Sequence, residues 1–296
     1  MITHLTLDEI AYSFKNCTGE TSVPLKEYLS NNILKDSDDD TYVISNLSNH
    51  ILNDITILLR KSITNILAAD SILLTGSSSW GFVTTYYSNF FAVQALNRLS
   101  LNFNIHLNQY YNIKISNYTK GDFQFKKVSA SSGSHQNQFD KFYNNFSIYK
   151  NIKSINRSWN IGIRGFKDGS ETMLRNLINY SISNYYYDEL ICDIPTYKKR
   201  IKEFEKDPII SKLEKPYKFS HSNLELALCR IEMIFYILNY LANKNIYYRS
   251  YYNKFLSGLK QNIQSKFNNN SNYLVERIIN NCTYKDLEIV DESVTI

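Results

Sequence analysis

Between Thr41 and Ala69, apolar residues fall at Ile44, Leu47, Ile51, Ile55, Leu58, Leu59, Ile63, Ile66 and Leu67. Spacings of three and four place them on one stripe, so this segment predicts a single long amphipathic helix. The next stretch has a different character. From Ser71 to Asn97 no residue is charged, and aromatics pair at Tyr86–Tyr87 and Phe90–Phe91. A helix that is apolar nearly all round is buried on every side. Asp70–Ser79 supplies the turn, with Gly76 as breaker and serines as caps, and Trp80–Leu99 forms the second helix. Their short connection makes the two an antiparallel hairpin. The aromatics Trp80, Tyr86, Tyr87, Phe90 and Phe91 read as core at this spacing, with base stacking as the functional alternative. Buried tyrosine hydroxyls need partners, which Ser77–Ser79 or Gln94 can supply.

Upstream, residues 1–35 show short helical patterns broken by Gly19 and Pro24. The acidic run Asp36–Asp40 precedes the long helix, where carboxylates favour the positive end of the dipole. Downstream, the period changes. YYNIKISNY and DFQFKKVSA alternate apolar with polar around Thr119-Lys120-Gly121, which predicts a β-hairpin within 109–131. Ser129–Gln138 reads as a polar loop, and Asn151–Gly169 as irregular chain with one short strand. Loops often carry function, which makes His135 and Arg157 secondary site candidates. Glu171–Leu190 reads as helical behind Asp168-x-x-Glu171. Pro195–Pro216 is a charged segment. Ser222-x-x-Glu225 reads as a capping box opening a core helix through Leu224, Leu228, Ile231, Phe235, Leu238 and Leu241. Tyr247–Phe267 and Tyr273–Asn280 are further helices. The sum is a mainly α fold: a helical hairpin or bundle with a small β-hairpin insertion. It is organised as an N-terminal segment (1–40), the hairpin (41–108), the β-hairpin and loop insertion (109–169), and a helical C-terminal region on the same core (170–296).

Composition agrees. The 296 residues are 43% hydrophobic and 21% charged, enough for a large core and against wholesale disorder. With 9 Gly and 4 Pro, the chain lacks the turn formers an all-β fold needs. Asn, Ile, Lys and Tyr are over-used throughout, so neither the tyrosines nor the N-x-[ST] triplets single out a site. Cys17, Cys192, Cys229 and Cys282 lie far apart, which argues against a zinc spacing or a disulfide scaffold and for reduced thiols in a cytoplasmic protein. The N-terminus carries Asp8 and Glu9 and does not read as a signal peptide. Ser71–Asn97 is long enough to span a bilayer, but its serines, threonines, Asn89 and Gln94 favour a buried helix, so no membrane association is expected. The net charge of +5 is compatible with a polyanion partner. The densest basic patch, Lys198-Lys199-Arg200-x-Lys202, is followed by Glu203 and Glu205 and reads as a solvated helix face. No phosphate-binding glycine loop, GxSxG or HExxH occurs, and no cofactor or metal is expected.

Arg98 ends the apolar helix, and His106 follows after seven intervening residues. The run from Tyr86 to Leu99 (YYSNFFAVQALNRL), followed by a short polar stretch and His106, resembles the HEPN superfamily of helical domains. Members often show a Tyr-Tyr pair, small and aromatic residues, an Ala-Leu pair and a basic residue, then a loop leading to a histidine. Catalytic members usually carry Arg, four to six residues, then His; the spacing here is longer. The resemblance implies metal-independent RNA cleavage, with His106 as acid or base and Arg98 on phosphate oxygens, the pair meeting within one chain or across a homodimer. It also implies a prokaryotic toxin or antiphage setting, with RNA or a protein of the same system as partner. Taken alone, Arg98 reads as a helix C-terminal cation and His106 as a loop residue. Two other function classes fit the same pattern: a non-catalytic helical protein that docks a larger partner, and a sequence-tolerant nucleic-acid binder.

Overall fold

The computed structural model describes residues 5–32, 41–74, 77–129, 134–146, 157–164, 172, 175, 219–267 and 273–285. Their elements are α1 (Leu7–Ser13), α2 (Leu25–Asn32), β1 (Thr41–Ile44), α3 (Ser48–Leu74), α4 (Ser78–Leu99), β2 (Asn102–His106), β3 (Tyr110–Asn117), β4 (Asp122–Val128), α5 (His135–Phe146), α6 (Arg157–Arg164), α7 (Phe219–Lys244), α8 (Ile246–Phe267) and α9 (Tyr273–Asn281). The fold is mainly α with a small antiparallel sheet of strand order β1-β4-β3-β2.

The expected hairpin is α3 against α4. Its two helices are clasped by reciprocal bonds: Ser62 Oγ donates to the Ser88 carbonyl at 2.9 Å, and Ser88 Oγ to the Ser62 carbonyl at 2.8 Å. Ala69 of α3 and Ala92 and Ala95 of α4 are fully buried. Near the turn, Gly81 lies under Leu73, whose Cγ would sit 2.5 Å from an added Cβ. Helix α4 then packs on α5 and α7 as well, which accounts for its uncharged sequence. Tyr86 and Phe90 are core, whereas Trp80 is 57% exposed. No described helix is long and apolar enough to cross a membrane.

Several expectations need correction. Residues 41–44 are not the start of α3 but a strand, paired with β4 through Thr41↔Lys126 and Ile44↔Phe123. The chain beyond α4 is strand β2 rather than loop; Leu101, at φ 55°, makes the reversal into it while fully buried. The hairpin of β3 and β4 is present as expected, turning at Gly121 with φ 71°. His135 opens a helix rather than lying in a loop, and 157–164, expected to be irregular, is α6. Gly162 is tolerated there because α6 lies close on α7: an added Cβ would stand 2.6 Å from Met233 Sδ. Helix α7 begins at Phe219, so Ser222 is inside it rather than capping it. The carboxylate of Glu225 instead accepts from Arg277 of α9 at 2.8 and 3.0 Å, while Glu232 takes the other edge of the same guanidinium at 2.7 and 2.8 Å. The acidic run 36–40, the helix expected over 171–190 (apart from Thr172 and Arg175), the segment 195–216 and Cys192 lie outside the described residues. Cys17, Cys229 and Cys282 are free and buried, and burial pushes their thiols up to about 11, about 12 and about 12.

The helices converge on Arg230 of α7, which is fully buried. Its Nη1 donates to Asn89 Oδ1 of α4 at 2.9 Å, Nη2 to Tyr143 Oη of α5 at 3.1 Å, and Nε to the Gly162 carbonyl of α6 at 3.2 Å. The guanidinium also lies over the rings of Phe139 and Phe142, 5.6 and 5.3 Å from their centroids. A lysine ammonium cannot reproduce this planar fork. Arg230→Lys should therefore leave buried acceptors unpaired and lower stability by roughly 2–4 kcal/mol. The measurement is the urea unfolding midpoint at constant m-value, and an unmoved midpoint would count against Arg230 as the junction.

Candidate functional site

Helix α5 starts beside the middle of α4, and this places His135 among the aromatics of the YYSNFF run. The imidazole stacks on Phe90 with centroids 3.9 Å apart and an interplanar angle of 14°. Its Nδ1 lies 2.6 Å from Tyr86 Oη, and the Tyr87 ring meets it edge-on at 6.4 Å. A partner of the Tyr86 hydroxyl is thus a histidine on another helix, which the sequence did not suggest. Tyr86 and Phe90 point to this place because they are four residues apart on one face of α4.

A guanidinium completes the group. Arg175 Cζ lies 5.3 Å from the centre of the Tyr86 ring. Its Nε is buried and makes no hydrogen bond, and the hydroxyl of Thr172, three residues earlier in sequence, is likewise buried and unpaired. A buried N–H without an acceptor is costly, and an arginine fork suits the oxygens of an anion. Burial, helped by the charge of Arg175, holds His135 below the usual histidine range. The ring is therefore neutral at neutral pH. With Nδ1 accepting from the tyrosine hydroxyl, Nε2 carries the proton; with the opposite tautomer, Nε2 is a free base. Half-buried, His135 keeps an opening to solvent.

The sequence candidates fare differently. Arg98 is 6% exposed and forms an ion pair with Asp54 of α3 through Nε. Its Nη1 donates to the Gln94 carbonyl at 3.2 Å, and Cζ lies 5.1 Å from the Phe103 ring centre. The contact with the helix's own carbonyl was legible in the sequence; the one with Asp54 was not. His106 is exposed at the end of β2, its ring 4.5 Å from that of Tyr110. The expected meeting of Arg98 with His106 does not form within the chain. Phe103, against which Arg98 packs, and His106 are three positions apart in a strand, so they face opposite sides of the sheet. They are also separated by roughly 10 Å along it. Arg157 is the first residue of α6.

Sequence reasoning had His135 only as a secondary candidate and missed Arg175. Nothing local marks either residue, because the site draws on α4, α5 and the far-removed Thr172 and Arg175. Among the described residues, no group of three or more His, Cys, Asp or Glu side chains is placed to hold a metal ion. The chain matches no family model, no curated protein and no solved structure.

The lowered His135 value has a stability consequence. Unfolded histidine titrates near 6.5, so below that pH the unfolded chain takes up its proton before the native one does. Native stability therefore falls as pH drops through 6.5 and goes on falling until the native imidazole protonates at its lower value. His135→Phe keeps the stack and removes the titration. Relative to that variant, the wild type should lose stability between pH 7.5 and 5, read by urea titrations at each pH. A constant difference would show that His135 is not held neutral.

Proposed function

We propose that this protein cleaves RNA without a metal ion, as a HEPN-like effector or accessory protein, and that His135, rather than His106, is its acid–base group. The observation that carries the reading is the conjunction of a neutral-poised imidazole, a tyrosine hydroxyl bonded to it, and a guanidinium with a buried unpaired N–H beside them. RNA carries its own nucleophile in the 2′-hydroxyl. His135 in the tautomer with a free Nε2 takes the 2′-proton as the 2′-oxygen attacks the adjacent phosphorus. The P–O5′ bond breaks, leaving a 2′,3′-cyclic phosphate, and the imidazolium returns the proton to the departing 5′-oxygen. Arg175 faces the charge that gathers on the non-bridging oxygens. Tyr86 holds the ring through Nδ1, and Phe90 fixes its plane. Arg98, committed to Asp54, stiffens the end of the hairpin instead of touching phosphate.

The resemblance of the α4 sequence to HEPN domains supplies the setting: a prokaryotic toxin or antiphage system, with RNA as substrate and a second protein of that system, or a second copy, as partner. Incubation with total RNA in EDTA tests the reading. The wild type should cut, and His135→Ala should slow cutting by about 10²–10⁴-fold, the usual worth of a positioned acid or base. Arg175→Ala should lower kcat with little change in KM. Equal cutting by His135→Ala, or none by the wild type, sinks the proposal.

A second reading rests on a different observation. Ile246 and Tyr247, at the start of α8, are 72% and 65% exposed. Adjacent exposed apolar side chains suit a non-catalytic protein that docks a larger partner. Absence of RNA turnover in the wild type, together with partner binding lost in Tyr247→Asp and kept in His135→Ala, would favour it.

A further inference from the structure

The outer face of the sheet has a composition that the fold does not require. Strand alternation and the pairs Asn102↔Lys114, Asn104↔Asn112, His106↔Tyr110 and Asn112↔Lys126 put His106, Tyr110, Lys114 and Lys126 on one face. The opposite face holds Phe103, Ile113, Phe123 and Phe125 and is buried. Lys114 and Lys126 are diagonal neighbours, roughly 7–8 Å apart at the backbone. Helix α5 adds Lys141, whose Nζ donates to Asn102 Oδ1 at 3.0 Å. Asn102 is the residue directly opposite Lys114, so three ammonium groups gather across β2, β3 and β4. The carboxylate at this end of β4, Asp122, accepts from Ser45 Oγ at 2.7 Å. Burial and the nearby charge of Lys114 bring Lys141 down to about 8, a strain that an anion between the two lysines would relieve. At the β2–β3 end, the rings of His106 and Tyr110 lie 4.5 Å apart, with His106 exposed.

We infer that this face is a docking track for single-stranded RNA, with Lys114, Lys126 and Lys141 on phosphates and the His106–Tyr110 pair as a platform for one base. The inference rests on the RNA reading above, and it gives His106 a binding role instead of a catalytic one. A single strand fits because a stacked base must be unpaired to reach a ring. An ammonium suits phosphate as a point charge, and the chain's net charge of +5 has the matching sign.

The test uses the full chain and a fluorescein-labelled 2′-O-methyl oligouridylate, which lacks the nucleophile and survives binding. Anisotropy titrations over a range of salt should show binding that weakens with salt. Lys114→Gln and Lys126→Gln should each weaken it several-fold and reduce the salt slope by about one. Tyr110→Ala should weaken it about tenfold or more. Lys126 is exposed, so its variant is expected to stay folded, with circular dichroism as the check. Wild-type affinity and salt slope in Lys126→Gln and Tyr110→Ala overturn the track. So does equal affinity for phosphatidylserine vesicles, or for the oligonucleotide annealed to its complement. If RNA is still cut in a His135-dependent way while the sheet variants keep their KM, the track falls and the RNA reading stands. If the wild type neither binds nor cuts, both fall.

Discussion

A fully buried arginine ties four helices of this fold together. Arg230 joins α7 to α4, α5 and α6 through three different acceptors, and two phenylalanine rings cover its faces. Taking a guanidinium out of water costs several kcal/mol, and the cost is met only where every N–H finds a well-placed partner. Such a residue contributes less to net stability than to definition. A helix that slid by one turn would strand Asn89, Tyr143 or the Gly162 carbonyl, so the four helices lock in one relative position. Gly162 fits this scheme, because a side chain there would force the Met233 side chain between α6 and α7 to move.

That registration also positions the candidate site. Tyr143, which Arg230 holds, and His135, which meets Tyr86, lie about two turns apart on α5. Asn89, also held by Arg230, sits between Tyr86 and Phe90 on α4. The 2.6 Å contact of the tyrosine hydroxyl with His135 is therefore the outer end of a network whose inner end is the buried arginine. A catalytic imidazole needs such support, since a small displacement costs rate steeply. The lowered proton affinity of His135 has the same origin: the packing that orients the ring also takes water away from it.

Two arginines, one at the end of α4 and one beside Tyr86, illustrate how partners decide roles. Arg98 and Arg175 are the same side chain in similar surroundings, each beside an aromatic ring. Arg98 has Asp54 across the hairpin, which neutralises it and ties α3 to α4. Arg175 has an N–H left over. The first arrangement is structural, and the second has spare capacity for an anion. His106 and His135 divide in the same way, one on an open sheet face and the other enclosed by aromatics.

Sequence alone determined the features with a period. The three-and-four spacing of Ile51 to Leu67 set α3, the uncharged run through Phe90 set the buried α4, and alternation in YYNIKISNY and DFQFKKVSA set the hairpin of β3 and β4. Those patterns are local, because each element must show one face to the core whatever lies opposite. The shorter elements β1 and β2 carry too few residues to show a period, and they exist because β4 and β3 offer unpaired edges. Only the tertiary structure decided the chemistry. Whether Arg98 is free or paired depends on Asp54, forty-four positions away. Whether His135 has a partner depends on Tyr86, forty-nine positions away. Packing creates such pairings by bringing side chains together from separate helices, and nothing in the residues between them records the distance in space.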